Sequence, residues 1–323
     1  MTKQIKIWKL VTKSLQEKIP VMLLYVMESS GSSPGRQGFF MVVNIKGEME
    51  GSIGGGIMEH KFVEMAKDKL QEEEKEISVR KQYHDKSTTK NQSGMICSGE
   101  QTILLYTLKD DDKKHILKII KCLEQNKNGL LHLSTTGIKF SENIPELDFD
   151  FRMKTENDWD YKEKIGYKNH LFIVGGGHCA LAFSKIMSMM DFYIKIYDER
   201  KRLNTMEQNV YAHEIIEIEN YTELNQIIPS GDGNYVVIMT FGYRTDDIAL
   251  RAVMNKNFRY LGLIGSQNKI HKMFSDLRSE GIPEKILKKI HSPIGIQIKS
   301  QTPEEIAISI AAEIIMVKNG AGY

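Results

Sequence analysis

The second half of the chain alternates short apolar runs with segments of helical periodicity. The runs of strand length are residues 170–174, 192–197, 213–218, 235–239 and 260–264, and helical patterns separate most of them. Strands that alternate with helices form parallel sheets, and near-continuous apolar strands are typical of a sheet that is covered on both faces. The pattern therefore predicts an α/β domain with a parallel sheet and helices on both faces.

The first half mixes strand and helix patterns without that regular alternation. Apolar runs at residues 21–28, 39–45 and 99–108 predict strands. Residues 57–70 and 115–126 instead carry apolar side chains at helical spacing. These patterns predict a mixed α/β domain at the N-terminal end.

The segment between the two patterns is less regular. Residues 141–168 keep neither period for long and are rich in Asp, Glu and Lys. We interpret this segment as a connection with room for an edge strand, and we place the domain boundary near residue 165. The predicted domains are residues 1–165 and 166–323, which agrees with a length of 323 residues that exceeds one usual core.

Charge, apolar runs and cysteine content exclude several classes of protein. The 44 Lys and Arg residues nearly balance the 42 Asp and Glu residues, so no nucleic-acid partner is implied. The longest apolar runs, residues 21–27 and 307–317, are shorter than the about 20 residues that span a bilayer. Three cysteines without CxxC spacing indicate neither a disulfide framework nor a zinc site. We expect a cytoplasmic protein without a membrane partner.

The sequence GGGHCA at residues 175–180 fits the dinucleotide-binding pattern G-x-G-x-x-A and follows an apolar strand. In this pattern Gly175 permits a tight turn, Gly177 lets the backbone approach a pyrophosphate, and Ala180 lets helix and strand pack closely. The motif predicts a Rossmann-like second domain. The same glycines would also be needed for the turn alone in a domain that has lost its cofactor.

Four further residues extend this candidate site. Asp198 ends the next predicted strand, where a carboxylate can accept hydrogen bonds from ribose hydroxyls. Arg200 and Arg202 lie close enough in sequence to accept a 2′-phosphate instead. His178 lies where a helix N-terminus would meet an anionic ligand, although a capping or solvent-facing histidine fits that position equally well.

A second glycine cluster lies in the first half, in the sequence GSIGGGIMEH at residues 51–60. Gly54, Gly55 and Gly56 precede a predicted helix, and exposed amides at a helix N-terminus bind phosphate and other anions. We expect a ligand-facing loop here, with a strained turn as the alternative. Glu59, in the first turn of that helix, would then complement the helix dipole.

The three cysteines differ in their surroundings. Cys97 lies between glycines and serines in SGMICSGEQ, a polar setting that indicates exposure and a metal-binding or sulfur-handling role, with a buried thiol as the alternative. Cys122 lies on the apolar face of a predicted helix and is interpreted as a core residue. Cys179 is expected to pack beneath the helix that follows the glycine motif.

Taken together, these segments resemble the XdhC/CoxI family of xanthine dehydrogenase accessory proteins. The similar segments are, in order, GSSPGRQG with SIGGGIME, the cysteine segment GMICSGE, the glycine segment LFIVGGGHCALA, and SPIGIQI with TPEEIAISI near the C-terminus. The last of these is the most specific and the Rossmann glycines are the least. The similarity covers nearly the whole chain.

The resemblance implies a function in binding and delivery rather than in catalysis. Members of the family are described as molybdenum-cofactor chaperones that hold molybdopterin, cooperate with a cysteine desulfurase in its sulfuration, and pass it to a xanthine dehydrogenase-like enzyme. By resemblance, Gly54, Gly55, Gly56 and Cys97 would contact the cofactor, with Cys97 near the metal. The glycine loops of the two domains would then hold it jointly, in a cleft between them.

The chain also departs from the family pattern. Ile57 stands where members often have a cysteine after the triple glycine, and Ser98 follows Cys97 where a glycine is common. Gln267 replaces a frequent arginine, and residues 240–247 replace a histidine-containing loop. We still expect cofactor binding. Sulfur transfer through two cysteines is not expected, because Ile57 stands where one of the two thiols would be.

Two other functions are compatible with the pattern. The G-x-G-x-x-A motif with Asp198 would suit an NAD(P)-dependent oxidoreductase, although the sequence shows no obvious proton donor for one. A Rossmann domain could also serve to build a homodimer, with the apolar C-terminal helix in the interface. For that helix, burial within its own domain is the simpler interpretation, but a homodimer remains the expected assembly.

Overall fold

A computed structural model of the chain describes residues 2–72, 77–83 and 99–320. It divides into two compact units, Met1–Gly166 and Tyr167–Tyr323. Each unit contains its own hydrophobic clusters.

The first unit contains two antiparallel sheets and three helices among its described residues. In chain order the elements are α1 Thr2–Gln16, β1 Val21–Gly31, β2 Phe40–Asn44, β3 Met49–Gly51, α2 Gly56–Gln71, β4 Ile77–Tyr83, β5 Gly99–Thr107, α3 Lys113–Glu124, β6 Gly129–Ser134, β7 Gly137–Ser141, β8 Phe149–Thr155 and β9 Asp158–Ile165. The larger sheet has the order β3-β2-β1-β5-β4. The strands and helices predicted for residues 21–126 all occur, with boundaries shifted by a few residues.

Strand β1 runs through the middle of this unit and is covered on both faces. Because side chains alternate along a strand, Leu23 and Tyr25 join the cluster that contains side chains of α1 and α3. Leu24 and Val26 point to the other face, where they pack in a cluster with α2. Burial on both faces explains why this strand is a continuous apolar run in the sequence.

The interpretation of residues 141–168 as a connection was wrong, although the edge strand for which it left room is present as β8. This segment contains β8 and β9 of a four-stranded sheet with the order β7-β6-β9-β8, in which β9 is an internal strand. Along β9 alternate residues are buried: Trp159, Tyr161, Glu163 and Ile165. The period-two pattern is hidden because one buried position is a glutamate and Asp or Lys residues lie between.

The second unit is an α/β domain whose sheet is parallel throughout. Its elements are β10 Asn169–Val174, α4 His178–Met187, β11 Phe192–Asp198, α5 Asn204–Glu207, β12 Glu214–Glu217, α6 Leu224–Ile227, β13 Gly231–Ile238, α7 Tyr243–Val253, β14 Phe258–Leu263, α8 Gln267–Ser279, α9 Glu284–Leu287, β15 Ile290–His291 and α10 Pro303–Lys318. All five predicted strands are confirmed. Strand β15 has two residues, too few to produce a pattern.

The strand order is β12-β11-β10-β13-β14-β15, the Rossmann order with β10 as its first strand. Clusters of apolar side chains cover both faces: α7 and α8 contribute to one, α4 and α10 to the other. Helix α10 packs against α4, and Ala307, Ile310 and Ile314 are buried within this unit. The Rossmann-like fold and the burial of the C-terminal helix in its own domain are therefore as the sequence predicts.

No helix among the described residues has the length and apolar content needed to cross a membrane.

Candidate functional site

The glycine motif of the second unit lies where the strand order reverses. Strand β10 pairs with β11 on one side and with β13 on the other, all in parallel. The loop after β10, residues 175–177, and the loop after β13, residues 239–242, therefore leave the sheet at adjacent carboxyl ends. In open α/β sheets ligands bind in the crevice at such a point, which makes this crevice the candidate site.

The first and third glycines of the motif are required for different reasons. Gly175 has φ +107°, and a Cβ atom there would lie 2.3 Å from the carbonyl oxygen of Met239. The fold itself therefore excludes a side chain at Gly175. Gly177 has an ordinary backbone conformation with φ −73°, and a Cβ atom would meet no atom within 4 Å. Neither strain nor crowding requires glycine at position 177, whereas close approach of a ligand would.

The other residues of the motif have clear local surroundings. A Cβ atom at Gly176 would lie 2.5 Å from the Met206 side chain, so that glycine makes room for a packed neighbour. Ala180 is buried against the sheet, as close packing of helix and strand requires. His178 is exposed in the first turn of α4.

Asp198 is fully buried, and both of its carboxylate oxygens accept hydrogen bonds from the protein. The amide N–H of Gly176 donates to Oδ2 at 2.7 Å, and the guanidinium of Arg200 donates to both oxygens at 2.9 and 2.7 Å. Burial alone raises the pKa of Asp198, but the hydrogen bonds from Arg200 and Gly176 leave it below its ordinary value. A ribose hydroxyl would have to compete with these donors, so contact with ribose stays a prediction.

A second buried carboxylate lies beside the crevice, and sequence reasoning missed its role. Asp246 is fully buried and accepts hydrogen bonds from the amide N–H and the hydroxyl of Thr240, at 3.0 and 2.6 Å. Lys269 of α8 donates to the same carboxylate and, at 3.2 Å, to the carbonyl oxygen of Ile264. The ammonium of Lys269 is thus held next to the loop after β13, with about a quarter of the side chain exposed.

The sequence offered only a weak signal for the contact between Asp246 and Lys269. The segment Thr245-Asp246-Asp247 is typical of a helix start, but α7 begins at Tyr243 with Gly242 as its N-cap. Asp246 therefore lies inside the first turns of the helix, and its carboxylate reaches back to Thr240. The 23 residues between Asp246 and Lys269 conceal their contact in the sequence.

In the first unit, the backbone conformation itself explains the three consecutive glycines. Gly54, Gly55 and Gly56 have φ values of +131°, +76° and +69°, a region that favours glycine. A Cβ atom at Gly54 would lie 2.5 Å from the backbone nitrogen of Gly35, so the two glycine-rich loops touch backbone to backbone. The side-chain amide of Gln101 donates to the carbonyl oxygen of Gly35 at 2.9 Å. The strained-turn alternative therefore accounts for these glycines without a ligand.

The amides of this loop already have an anionic partner. The Glu59 carboxylate accepts hydrogen bonds from the backbone N–H of Ile53 at 2.9 Å and of Gly55 at 3.0 Å, and from the Ser52 hydroxyl at 2.6 Å. Glu59 thus does more than complement the helix dipole, because its carboxylate occupies two amide donors of the loop that an anionic ligand would need. Phosphate binding by Gly54, Gly55 and Gly56 remains a prediction that requires Glu59 to move.

The structure describes two of the three cysteines, Cys122 and Cys179. Cys97, the predicted metal and cofactor contact, lies outside the described residues. Cys122 is buried as expected, with its thiol 3.3 Å from the carbonyl oxygen of Lys127, and Cys179 is half-buried. Burial raises the pKa of both thiols, which disfavours the reactive thiolate. The described residues contain no group of three or more His, Cys, Asp or Glu side chains that could hold a metal ion.

Comparison with known proteins gives consistent matches along the chain. Residues 171–314 match the family profile described as the XdhC Rossmann domain, and residues 14–83 match that of the XdhC and CoxI family. The uncharacterized protein YqeB of Escherichia coli (strain K12) is 23% identical over 308 residues, which are 95% of this chain. The chain spans only 45% of that relative's length.

Two further relatives match over almost their whole length. A probable xanthine dehydrogenase subunit from Bacillus subtilis (strain 168) is 21% identical over 94% of this chain and 95% of its own. A crystal structure described as a xanthine dehydrogenase from Bacillus halodurans has a TM-score of 0.70 at 22% identity, covering 98% of this chain and 96% of the other. At that identity the structural likeness shows a common fold. One profile matches within the first half of the chain and the other matches within the second half. The chain therefore belongs to the XdhC and CoxI family.

Proposed function

We propose that the protein is an accessory protein that holds a molybdopterin-type cofactor for sulfuration and for insertion into a xanthine dehydrogenase-like enzyme. Family membership supports the accessory role, and the name of the Bacillus subtilis relative supports a molybdenum hydroxylase as the client. A cysteine desulfurase is the proposed sulfur source, and a homodimer is the proposed assembly.

The observation that carries the proposal is the open backbone at Gly177. The position lies at the N-terminus of α4, in the crevice where the strand order reverses, and a Cβ atom there would project into open space. Amides at a helix N-terminus bind phosphate groups, and molybdopterin carries a phosphate. The residues present therefore fit the anionic end of the cofactor. When bound, the cofactor would supply the molybdenum, and Cys97 would supply a thiolate, the soft ligand that suits it.

The test is an anaerobic binding titration of the purified protein with freshly released molybdenum cofactor, in parallel with NADH and NADPH. Gly177→Val should keep the fold, because the site has ordinary φ and empty space, and should weaken cofactor binding at least roughly tenfold, about 1.4 kcal/mol. The thermal midpoint of the variant is the control for folding. Cofactor binding equal to that of the wild type would contradict this site, and no cofactor binding by the wild type would contradict the function. Cys97→Ala tests the proposed thiolate in the same titration.

An NAD(P)-dependent oxidoreductase is a second candidate, and one observation favours it. The Lys269 ammonium, anchored by the buried Asp246, provides a cation and a proton donor next to the loop after β13. The sequence alone had shown no such group. Binding of NADH or NADPH without cofactor binding, together with loss of nucleotide oxidation in Lys269→Met, would favour this alternative.

A further inference from the structure

The guanidinium of an arginine lies over an exposed aromatic ring beside the glycine loop. Phe241 follows β13 and is 58% exposed. The guanidinium carbon of Arg200, in the loop after β11, lies 4.8 Å from the centre of the Phe241 ring. The loops after β11 and β13 flank the glycine loop after β10. The two residues therefore come from the loops on either side of the glycine loop, which carries the candidate phosphate-binding amides.

Hydrogen bonds to the buried Asp198 fix the position of Arg200. Its Nε and Nη2 atoms donate to the two oxygens of Asp198, which is fully buried, and the Gly176 amide donates to the same carboxylate. Such a bidentate contact fixes the plane of the guanidinium as well as its place. The glycine loop, Arg200 and Phe241 are thereby joined in one series of contacts, in which Asp198 acts as a positioning residue.

Arg200 keeps hydrogen-bonding capacity for a ligand. A guanidinium has five N–H donors, and within the described part of the chain the Nη1 group donates to no protein acceptor. About a third of the side chain is exposed. A cation with unused donors thus covers one side of an aromatic ring that stays more than half exposed, and Asp198 joins that cation to the amide of Gly176.

We propose that Phe241 and Arg200 form a stacking subsite for the planar heterocycle of a phosphorylated ligand. The heterocycle of the ligand would stack on the side of the Phe241 ring that Arg200 leaves exposed. Arg200 would donate to heteroatoms or anionic groups of the ligand, since a guanidinium recognises both aromatic faces and anions. Pterins and purines share this chemistry. The inference rests on the proposed function, which places a phosphorylated pterin in this crevice, and it deepens that function by naming the residues that select the ring.

The experiment compares three ligands by equilibrium dialysis under anaerobic conditions: released molybdenum cofactor as the pterin, NADPH as the purine, and pyrophosphate without a ring. Phe241→Leu removes the aromatic face but keeps apolar bulk at an exposed position. It should weaken binding of the ring-bearing ligand roughly tenfold and leave pyrophosphate binding unchanged. Phe241→Tyr should retain wild-type affinity.

A matched control is available within the same unit. Phe274 on α8 also lies near an arginine, with the Arg278 guanidinium carbon 6.0 Å from its ring centre. It lies on a helix that contributes to the core cluster rather than on a carboxyl-end loop. Phe274→Leu should leave the affinity for all three ligands unchanged.

Each result distinguishes the subsite from the broader function. Wild-type affinity of Phe241→Leu for the molybdenum cofactor would overturn the stacking subsite and leave the chaperone proposal standing. Equal weakening of pyrophosphate binding would also overturn it, because the ring would then have no specific role. Phe241-dependent binding of NADPH without cofactor binding would support the subsite and contradict the chaperone. Binding of neither ring-bearing ligand to the wild type would contradict both.

Discussion

At the scale of single residues, buried carboxylates organise the second unit. Glu313 of α10 is 5% exposed and accepts hydrogen bonds from the Tyr260 hydroxyl at 2.5 Å, the Gly295 amide at 2.7 Å and the His291 ring at 3.2 Å. Desolvation raises the pKa of Glu313, but the bonds from His291, Tyr260 and Gly295 outweigh it and leave the pKa below its usual value of 4.5. The carboxylate thus joins α10 to β14, to β15 and to the loop that follows β15.

Glu313→Gln should destabilise the protein by about 1–3 kcal/mol at pH 7, because hydrogen bonds to a charged acceptor are replaced by weaker ones. The folded-state pKa is below the unfolded value, so this stabilisation is present above about pH 4.5 and is lost as the pH falls through the folded pKa. The difference in the free energy of unfolding between Glu313→Gln and the wild type should therefore become smaller as the pH falls.

Urea unfolding of both proteins at pH 7 and near pH 4 measures this effect. The exposed carboxylate of Glu304, on the same helix, provides the control in Glu304→Gln. A Glu313→Gln difference that stays constant with pH would show that the charge of Glu313 does not stabilise the fold.

The candidate site shows the limits of residue-level prediction. Gly175 and Gly177 were identified from their spacing, because the turn and the open approach are local backbone properties. The roles of Asp198 and Asp246 depend on which donors fold onto them. Arg200 is two residues from Asp198, but Lys269 is 23 residues from Asp246. Such partners leave no periodic signal in a sequence.

At the scale of elements, helix α10 shows how local chemistry specifies a boundary. Thr302 is the N-cap and accepts a hydrogen bond from the Glu305 amide at 3.2 Å, while Glu305 accepts one from the Thr302 amide at 3.2 Å. Pro303 occupies the first helical position. The local sequence specifies this start, because a capping box and an N1 proline act within four residues.

Thr302→Ala should lower the free energy of unfolding by about 1 kcal/mol, since it removes the acceptor for an otherwise unpaired amide. Chemical denaturation at neutral pH measures the change. Gln301→Ala, at the exposed position just before the cap, is the control and should have a much smaller effect. Equal stability of Thr302→Ala and wild type would show that the cap is dispensable.

Strand β9 is the element whose prediction failed. Its buried residue Glu163 accepts hydrogen bonds from the hydroxyls of Tyr25 and Tyr161, at 2.6 and 2.7 Å. Tyr25 lies 138 residues away in sequence. A glutamate is compatible with a buried strand position only when such donors surround it. The identity of the strand therefore depended on a contact outside it.

At the scale of the whole molecule, each unit has the components of an independently folding domain. The second unit, Tyr167–Tyr323, contains a complete six-stranded sheet among its described residues and clusters of apolar side chains on both faces. Residues 167–323 produced alone should therefore unfold in one cooperative thermal transition, measured by calorimetry and circular dichroism. A broad, noncooperative transition would show that the first unit is needed for this fold.

The parallel sheet, its glycine turn and the capped C-terminal helix follow from the local pattern, because apolar periodicity, backbone freedom and capping act within a few residues. The second sheet of the first unit, the anchoring of Asp198 by Arg200 and the pairing of Lys269 with Asp246 became visible only in the folded chain. Burying a charge is favourable only with partners in place, and folding brings those partners from distant parts of the sequence. The stacked pair Phe241 and Arg200 belongs to this second group, since two separate loops supply it.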